Sequence, residues 1–446
     1  MSGINRLLLK IIFCTILFSP LSGVKAQGTA THISLEEALT ATLKNNTAVQ
    51  LAKLDERIAV SAYKETDAIF LPQVGFSYSA LGTNNPLHAF GFKLQQKSIT
   101  QNDFNPDLLN HPSGTSDFTT KLELQQPLIN FELMYKRMAA DRQTELYNYK
   151  TQRTKEYLVL EVQKAYLQIQ LAYDAMDVLN EALKTTQSVY TFTTNHFKQG
   201  LIQKSDVLNA HLRVTTIETN MAKAKTTIQN ASDYLSLLMG VETTVIYTVD
   251  TNAQTINPVV ASELKINPAR ADFMAMQKAI EVSELMIKAT KKSYLPKLNA
   301  FGSYQLNDSR MFGFGANAWM AGVQLSWDIF KGNKTKNNII TQKLERDKLK
   351  AQLHQQQEQS QLELNKVYRD LSDAQFDMKQ QKAAIEQASE VLQILQNRYQ
   401  QGLVNTTDVL MAATQLSQQK FALVQAVYTT NVTKAYIQFL TSSNNK

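Results

Sequence analysis

Apolar positions in this chain recur with two different periods, each sustained over a long stretch. From Leu158, the residues Val162, Ala165, Ile169, Ala172, Met176, Leu179 and Leu183 follow at alternating steps of four and three. From Leu364, a second series runs through Val367, Leu371, Ala374, Met378, Gln381, Ile385, Ala388, Leu392 and Leu395 to Tyr399, in the same alternation. Such steps keep one seam of an α-helix turned toward a partner, so both series predict left-handed coiled-coil packing. No proline falls between Pro127 and Pro258. A helix from about Met134 to Phe197 is therefore expected, about 95 Å long at the α-helical rise. A break at Gly200 and a second helix from about Ser205 to Leu238 make an antiparallel hairpin. A break at Gly402 and a helix ending near Leu440 repeat it.

The second period is two. Val74, Phe76, Tyr78 and Ala80 alternate with small polar residues; Phe118, Thr120, Leu122 and Leu124 alternate with Thr119, Lys121, Glu123 and Gln125. Trp319, Ala321, Val323, Leu325 and Trp327 alternate with Met320, Gly322, Gln324 and Ser326, while the stretch from Leu298 to Leu306 alternates less cleanly, with Phe301 on its polar side. Four strands are expected, at about 71–81, 118–129, 297–306 and 318–329. Strands of this length with one apolar and one polar side suit a membrane barrel around a wet lumen. Both tryptophans lie on the apolar side near the ends of one strand, as residues of the two membrane interfaces would. The expected lipid-facing set is Phe76, Tyr78, Leu122, Leu124, Trp319, Val323, Leu325 and Trp327, with Lys121, Glu123 and Gln324 turned to the lumen. Four strands cannot close a barrel, so their edges call for further copies of the chain.

The two periods occur twice because the chain repeats itself. Leu71-Pro72-Gln73-Val74 recurs as Leu295-Pro296-Lys297-Leu298, and Asn195-His196-Phe197-Lys198-Gln199-Gly200-Leu201 recurs as Asn397-Arg398-Tyr399-Gln400-Gln401-Gly402-Leu403. Ser205-Asp206-Val207-Leu208 is matched by Thr407-Asp408-Val409-Leu410. The expected organisation is a leader over 1–26, a first repeat over 27–240, a linking segment over 241–268 and a second repeat over 269–446.

Composition narrows the class. Arg6 and Lys10 precede an apolar run from Ile11 to Phe18, then Pro20, Ser22, Gly23 and Val24-Lys25-Ala26 before Gln27, the layout of a secretory signal peptide. The single cysteine, Cys14, lies inside it, which leaves no thiol for disulfides, catalysis or metal binding in the processed chain. The chain has a formal net charge of +7, but its charges interleave, as in Lys343-Leu344-Glu345-Arg346-Asp347-Lys348. That reads as a solvated helix face rather than a nucleic-acid footprint. No later apolar run is long enough for a transmembrane helix.

Several segments together resemble the TolC-like outer-membrane efflux family. These are the duplication, the Leu-Pro pairs before each first strand, and Val162-Gln163-Lys164-Ala165-Tyr166-Leu167. The tip patterns Phe197-x-x-Gly200 with Asp206-Val207-Leu208, and Tyr399-x-x-Gly402 with Asp408-Val409-Leu410, complete the set, which extends from about Ile33 to Leu440. The resemblance implies a mixed α and β membrane protein: a homotrimer whose twelve-stranded transmembrane β-barrel continues as a long α-helical coiled-coil tunnel in the periplasm. It implies an exit duct of a tripartite efflux system, partnered by a periplasmic membrane-fusion adaptor and an inner-membrane transporter, commonly of the resistance-nodulation-division class, and surrounded by outer-membrane lipid. An equatorial belt could take in 241–268 and the C-terminal tail. Service in type I protein secretion is an alternative, and a secreted coiled-coil structural protein or adhesin a more distant one. The chain departs from the family in two places. Asp408 and Asp206 are followed three residues later by Met411 and Asn209 rather than by a second acid, and the first external loop, roughly 82–117, is long. Ala89 to Leu94 and Asp103 to Pro106 suggest that this loop folds over itself.

Gly200 and Gly402 suit helix ends that need a left-handed residue. With Leu201, Asp206, Leu208, Leu403, Asp408 and Leu410 they form the expected adaptor-docking tips. Asp408 and Met411 are the candidates for the periplasmic aperture. Asp206 and Asp408 also suit the positive start of a helix. The six histidines have no metal-ligand spacing on one face. Gly313-x-Gly315-x-x-Ala318 precedes a strand rather than a helix, so it is no dinucleotide fingerprint. Without a hydrolase or phosphate-loop pattern, the sequence argues against an enzyme and indicates no cofactor.

Overall fold

The structure, a computed structural model, describes residues 30–242, 245–250 and 265–442. The leader expected over 1–26 lies outside the described residues. In chain order the elements are β1 (Thr31–His32), α1 (Leu35–Asn45), α2 (Thr47–Glu65), β2 (Gln73–Thr83), α3 (Pro86–Gln95), α4 (Pro106–Asn110), β3 (Thr115–Ile129), α5 (Phe131–Lys198), α6 (Lys204–Met239), β4 (Tyr247–Thr248), α7 (Ala271–Lys292), β5 (Lys297–Asp308), β6 (Ala316–Ser326), α8 (Lys334–Gln400) and α9 (Thr406–Thr441). A helix, two strands, a very long helix and a 36-residue returning helix thus occur in the same order twice.

Side-chain caps set the helix boundaries. Ser34 and Glu37 form a reciprocal box at the start of α1, and Asn46 and Asn130 cap α2 and α5. The 68 residues of α5 and 67 of α8 each extend about 100 Å. The expected seams are where these helices bury themselves. Leu158, Val162, Ala165, Ile169, Ala172 and Leu179 are buried on α5; Leu364, Val367, Ala374, Ala388, Leu392 and Tyr399 are buried on α8. The remaining seam positions are half-buried. Helix α5 packs on α6, α7, α9 and α2, and α8 on α9 and α7.

The main core lies midway along α5. Leu158, Val162 and Ile169 meet Ala38, Val49, Leu235, Met239 and Tyr247. A parallel pair of two-residue strands, β1 with β4, closes this region, and the Tyr166 hydroxyl donates to Ile33 O and accepts from Asp250 N. On the neighbouring side Arg270 is buried beside the end of α9. Its guanidinium grips both carboxylate oxygens of Asp272 at 2.7 and 2.8 Å and donates to Ser360 Oγ at 2.7 Å and to Leu440 O.

The four long strands form one antiparallel sheet in the order β2-β3-β5-β6. Their bounds differ from the sequence reading by two or three residues at several ends. The β5–β6 hairpin extends to Asp308 and Ala316, because Asp308 caps its turn by accepting from Arg310 N and Gly315 N, both at 2.8 Å. At the other end β6 stops at Ser326, short of the expected 329. Trp327 lies beyond the strand, its indole N–H donating to Tyr294 O at 2.9 Å.

Candidate functional site

Two surfaces carry the functional expectations, the ends of the helical hairpins and the faces of the sheet. The hairpin ends are built alike. Helix α5 ends in a left-handed glycine, Gly200, at φ +74°, and α8 in Gly402 at φ +73°. The Gly200 N–H donates to Phe197 O at 2.9 Å and the Leu201 N–H to His196 O at 3.0 Å. Gly402 and Leu403 make the same bonds to Tyr399 O and Arg398 O, at 3.0 and 2.9 Å. This is the Schellman arrangement, which needs a residue free of a Cβ penalty in the left-handed well. The following helices start on reciprocal boxes. The Gln203 N–H donates to Asp206 Oδ2 and the Asn405 N–H to Asp408 Oδ2, each at 3.3 Å, while the Asp408 N–H donates to Asn405 Oδ1 at 2.9 Å. Both aspartates therefore sit in the first turn of a helix, where its partial positive charge favours a carboxylate.

The turns leave apolar side chains in the open. Leu201 is 64% exposed and Leu403 61% exposed, and Leu208 is also exposed. Leu410 is different: half-buried, it packs against the cluster of Val189, Leu392, Tyr399 and Val409 that joins the two hairpins. Met411 is exposed and lines, with Leu410, Leu212 and Arg213, a groove of about 420 Å³ between α6 and α9. The tip residues thus divide into an exposed pair following the glycines, two capping acids, and a partly internal Leu410.

In the sheet, the register places the sequence-predicted residues on two faces. Cross-strand partners share a face. Phe76, Leu122, Tyr304 and Trp319 form one row; Val74, Leu124, Gly302 and Ala321 form the next. Ala300 with Val323, and Leu298 with Leu325, continue the same face. Tyr78 also belongs to it and is half-covered by Phe312, which stacks on it at 5.1 Å. The opposite face carries Ser77, Lys121, Glu123, Ser303, Gln305 and Gln324, with Lys121 and Glu123 ion-paired. The large apolar residues on this side are Leu81, Met320 and Phe301, whose ring lies against Gly322, where a Cβ would approach its Cζ to 2.9 Å.

Sequence reasoning missed several elements. The two-residue strands β1 and β4 have no period to detect. Helices α3 and α4 were legible in principle: Asn85-Pro86 and Asn105-Pro106 are each a capping residue followed by proline at the first helical position. Among the described residues, no group of three or more His, Cys, Asp or Glu side chains is arranged to hold a metal ion.

The family model described as outer membrane efflux protein matches residues 38–241 and 265–443. Among curated relatives, the cation efflux system protein CusC of Escherichia coli (strain K12) is 24% identical over 415 residues, covering 87% of this chain and 82% of CusC. Outer membrane protein TolC of Salmonella enteritidis is 19% identical over 349 residues, covering 75% of this chain and 70% of TolC. A crystal structure of CusC superposes with a TM-score of 0.78 at 18% identity, over 93% of this chain and 94% of that one. The outer membrane protein VceC of Vibrio cholerae superposes with a TM-score of 0.74 at 17% identity, over 92% and 97%.

Proposed function

The chain belongs to the outer membrane efflux protein family, and from that premise we propose that three copies close a twelve-stranded barrel continued by a helical tunnel, the exit duct of a tripartite efflux pump. The observation that carries this reading is the sheet. Its four strands segregate side chains into an apolar and a polar face, while β2 and β6 leave 11-residue edges without a partner strand among the described residues. An edge of that length needs a partner. Pairing β6 of one copy with β2 of the next satisfies it, puts Phe76, Leu122, Trp319, Val323 and Leu325 toward lipid, and gives Lys121, Glu123 and Gln324 a wet interior.

The helices support the same assembly. Leu362, Phe376, Val391 and Ile394 on α8, and Leu212 and Leu237 on α6, are exposed off the buried seams. They would be covered by neighbouring copies in a closed tunnel. The duplicated element order would then place six similar hairpin tips in a ring, where a periplasmic adaptor docks and leads to an inner-membrane transporter of the resistance-nodulation-division type. In this reading the repeats are 27–240 and 269–446, joined by 241–268, and Asp408 and Met411 line the periplasmic aperture.

The test is reconstitution. The purified protein should run as a heat-modifiable trimer and form discrete conducting channels in planar lipid bilayers. A monomer that stays soluble without detergent and gives no channels would reject the duct and favour a coiled-coil structural protein.

A further inference from the structure

The polar face of the sheet is exposed on β2 and β6 and half-buried on most of β3 and β5, and it is fully buried only at the loop end of β3, β5 and β6. There Asp117 and Asn307 are each 1% exposed, and Ala316, the cross-strand partner of Asn307, is buried with them. Asp117 shares this face with Thr119, which pairs with Asn307, and Asn307 Nδ2 donates to Asp117 Oδ2 at 3.0 Å. What covers them is the long segment between β2 and β3. Helix α3 packs on β3 and β6. Just past its end, Gln96 Nε2 donates to Asp117 Oδ1 at 2.9 Å and to Ser116 O at 2.8 Å, and at the rim Lys97 Nζ donates to Asn317 Oδ1, on the apolar side of β6, at 3.0 Å. The segment is a folded unit, not a free loop. Lys93 pairs with Asp103 at 2.6 Å, Phe90 meets Phe104 edge-on, and Asn85 and Asn105 cap α3 and α4.

Helix α3 is two-sided. Ala89, Phe92 and Gln96 fall on one side by helical spacing, with Ala89 buried and Gln96 on the sheet. Leu87 and Leu94, seven residues apart, share the opposite side and are 77% and 55% exposed. Phe104 and Leu108 add exposed apolar surface on the same segment.

We propose that residues 84–114 of three protomers fold inward over the polar face and meet across the axis on Leu87 and Leu94, forming an apolar constriction at the external mouth of the duct. This rests on the barrel reading above, in which the polar face is the lumen. Dimensions carry it further. Twelve strands about 4.8 Å apart, tilted by about 40°, close on a backbone radius of about 12 Å. A helix with its side chains is about 10 Å across. A helix laid on the inner wall therefore reaches nearly to the axis, and three of them leave only a narrow path. The occupant of each exposed Leu87–Leu94 face is the same face of the other two copies. A constriction lined by leucine opposes ions and water by dewetting and yields to cargo that displaces it.

Planar-bilayer conductance tests this, with the intact trimer as reference. Replacing 86–112 by a short Gly-Ser turn should raise single-channel conductance at least about three-fold. A double variant, Leu87→Asp and Leu94→Asp, keeps the caps, the Phe90–Phe104 contact and the Gln96–Asp117 contact and should raise it as well, since charge wets the constriction. A Leu94→Cys protein should form disulfide-linked dimers within the trimer on mild oxidation. Channels of unchanged conductance in both the deletion and the double variant would overturn the constriction while leaving the duct intact. Failure of the deletion variant, as well as of the intact protein, to form channels would overturn the duct reading and the constriction with it.

Discussion

The phenolic oxygen of Tyr399 on α8 lies 2.9 Å from Thr193 Oγ1 on α5 and 2.7 Å from Thr406 Oγ1 at the start of α9. Thr193 also donates to Val189 O, so its proton is committed to the backbone and Tyr399 is left to donate to it. One buried hydroxyl thereby ties together the two hairpins a few residues above their tips, within an apolar cluster that includes Phe192, 4.9 Å away ring to ring. The coupling matters because the tips are the parts expected to meet a partner together.

Removing that hydroxyl should loosen the tips without unfolding the protein. Tyr399→Phe keeps the ring and leaves the Thr406 hydroxyl buried without this partner. The expected cost is about 1 kcal/mol. If the loss is local, backbone amides from 400 to 410 should exchange about five-fold faster in hydrogen–deuterium measurements, while those around Leu158 stay unchanged. Equal acceleration at both places would mean that Tyr399 supports the whole bundle.

The seam positions and the strand alternation were legible because each rests on a local period that burial enforces. Every seam residue from Leu364 to Tyr399 is buried or half-buried, including Gln381, whose polarity did not break the rhythm. The strand ends were less legible because tertiary contacts set them. Asp308 extends a hairpin by capping its turn, and Trp327 leaves the strand to bond Tyr294 O. Leu410 looks like Leu208 in sequence, yet only Leu410 packs into the cluster around Tyr399. That asymmetry between the copies arises from α9 lying against α5, a contact no local pattern records.

The proposed barrel wall gives a paired prediction. Val323 and Gln324 are adjacent on β6 and face opposite ways, toward Ala300 and Asn299 of β5. Val323→Arg should destabilise the inserted trimer by about 2–4 kcal/mol if it lies near the bilayer midplane, and Gln324→Arg by much less. Denaturant unfolding from lipid vesicles measures the difference. Single cysteines along β6, placed in protein whose 86–112 segment is replaced by a Gly-Ser turn, add a second reading: those on the polar face should react with a membrane-impermeant thiol reagent, and those on the apolar face should not. Similar penalties and uniform labelling would reject the assignment of faces.

The segment 84–114 should respond to acid. The Lys93 ammonium, hydrogen-bonded to Asp103, and the Thr100 N–H and hydroxyl hold the Asp103 carboxyl down to about 2. Its folded value lies below the ordinary carboxylate range, so its support is fully present above about pH 4 and is lost as pH falls toward 2. Limited proteolysis by pepsin should therefore leave 84–114 intact near pH 4.5 and cut it near pH 2. Asp103→Asn should be cut at both. Cleavage of the unmodified protein at pH 4.5 would show that this ion pair does not order the segment.

The sharpest prediction concerns the leucines after the tip glycines. In a Schellman ending, the residue after the glycine commonly packs back on its own helix. Here Leu201 and Leu403 make the backbone bond of that motif, but their side chains remain open to solvent. Neither contributes to the buried clusters of the protomer. Folding alone gives no reason for leucine at two equivalent turns, whereas a partner that covers the tips does. Replacing both by glutamate changes no cap, no seam position and no left-handed residue. Trimer formation and insertion should be normal, judged by heat-modifiable migration in outer-membrane fractions. Export should fall to the level of a deletion strain. A photo-crosslinker at Gln401, beside the second tip, should lose its link to the adaptor. Normal export by the double variant would reject these leucines as the docking contact, and loss of trimers would mean that they stabilise the tunnel itself.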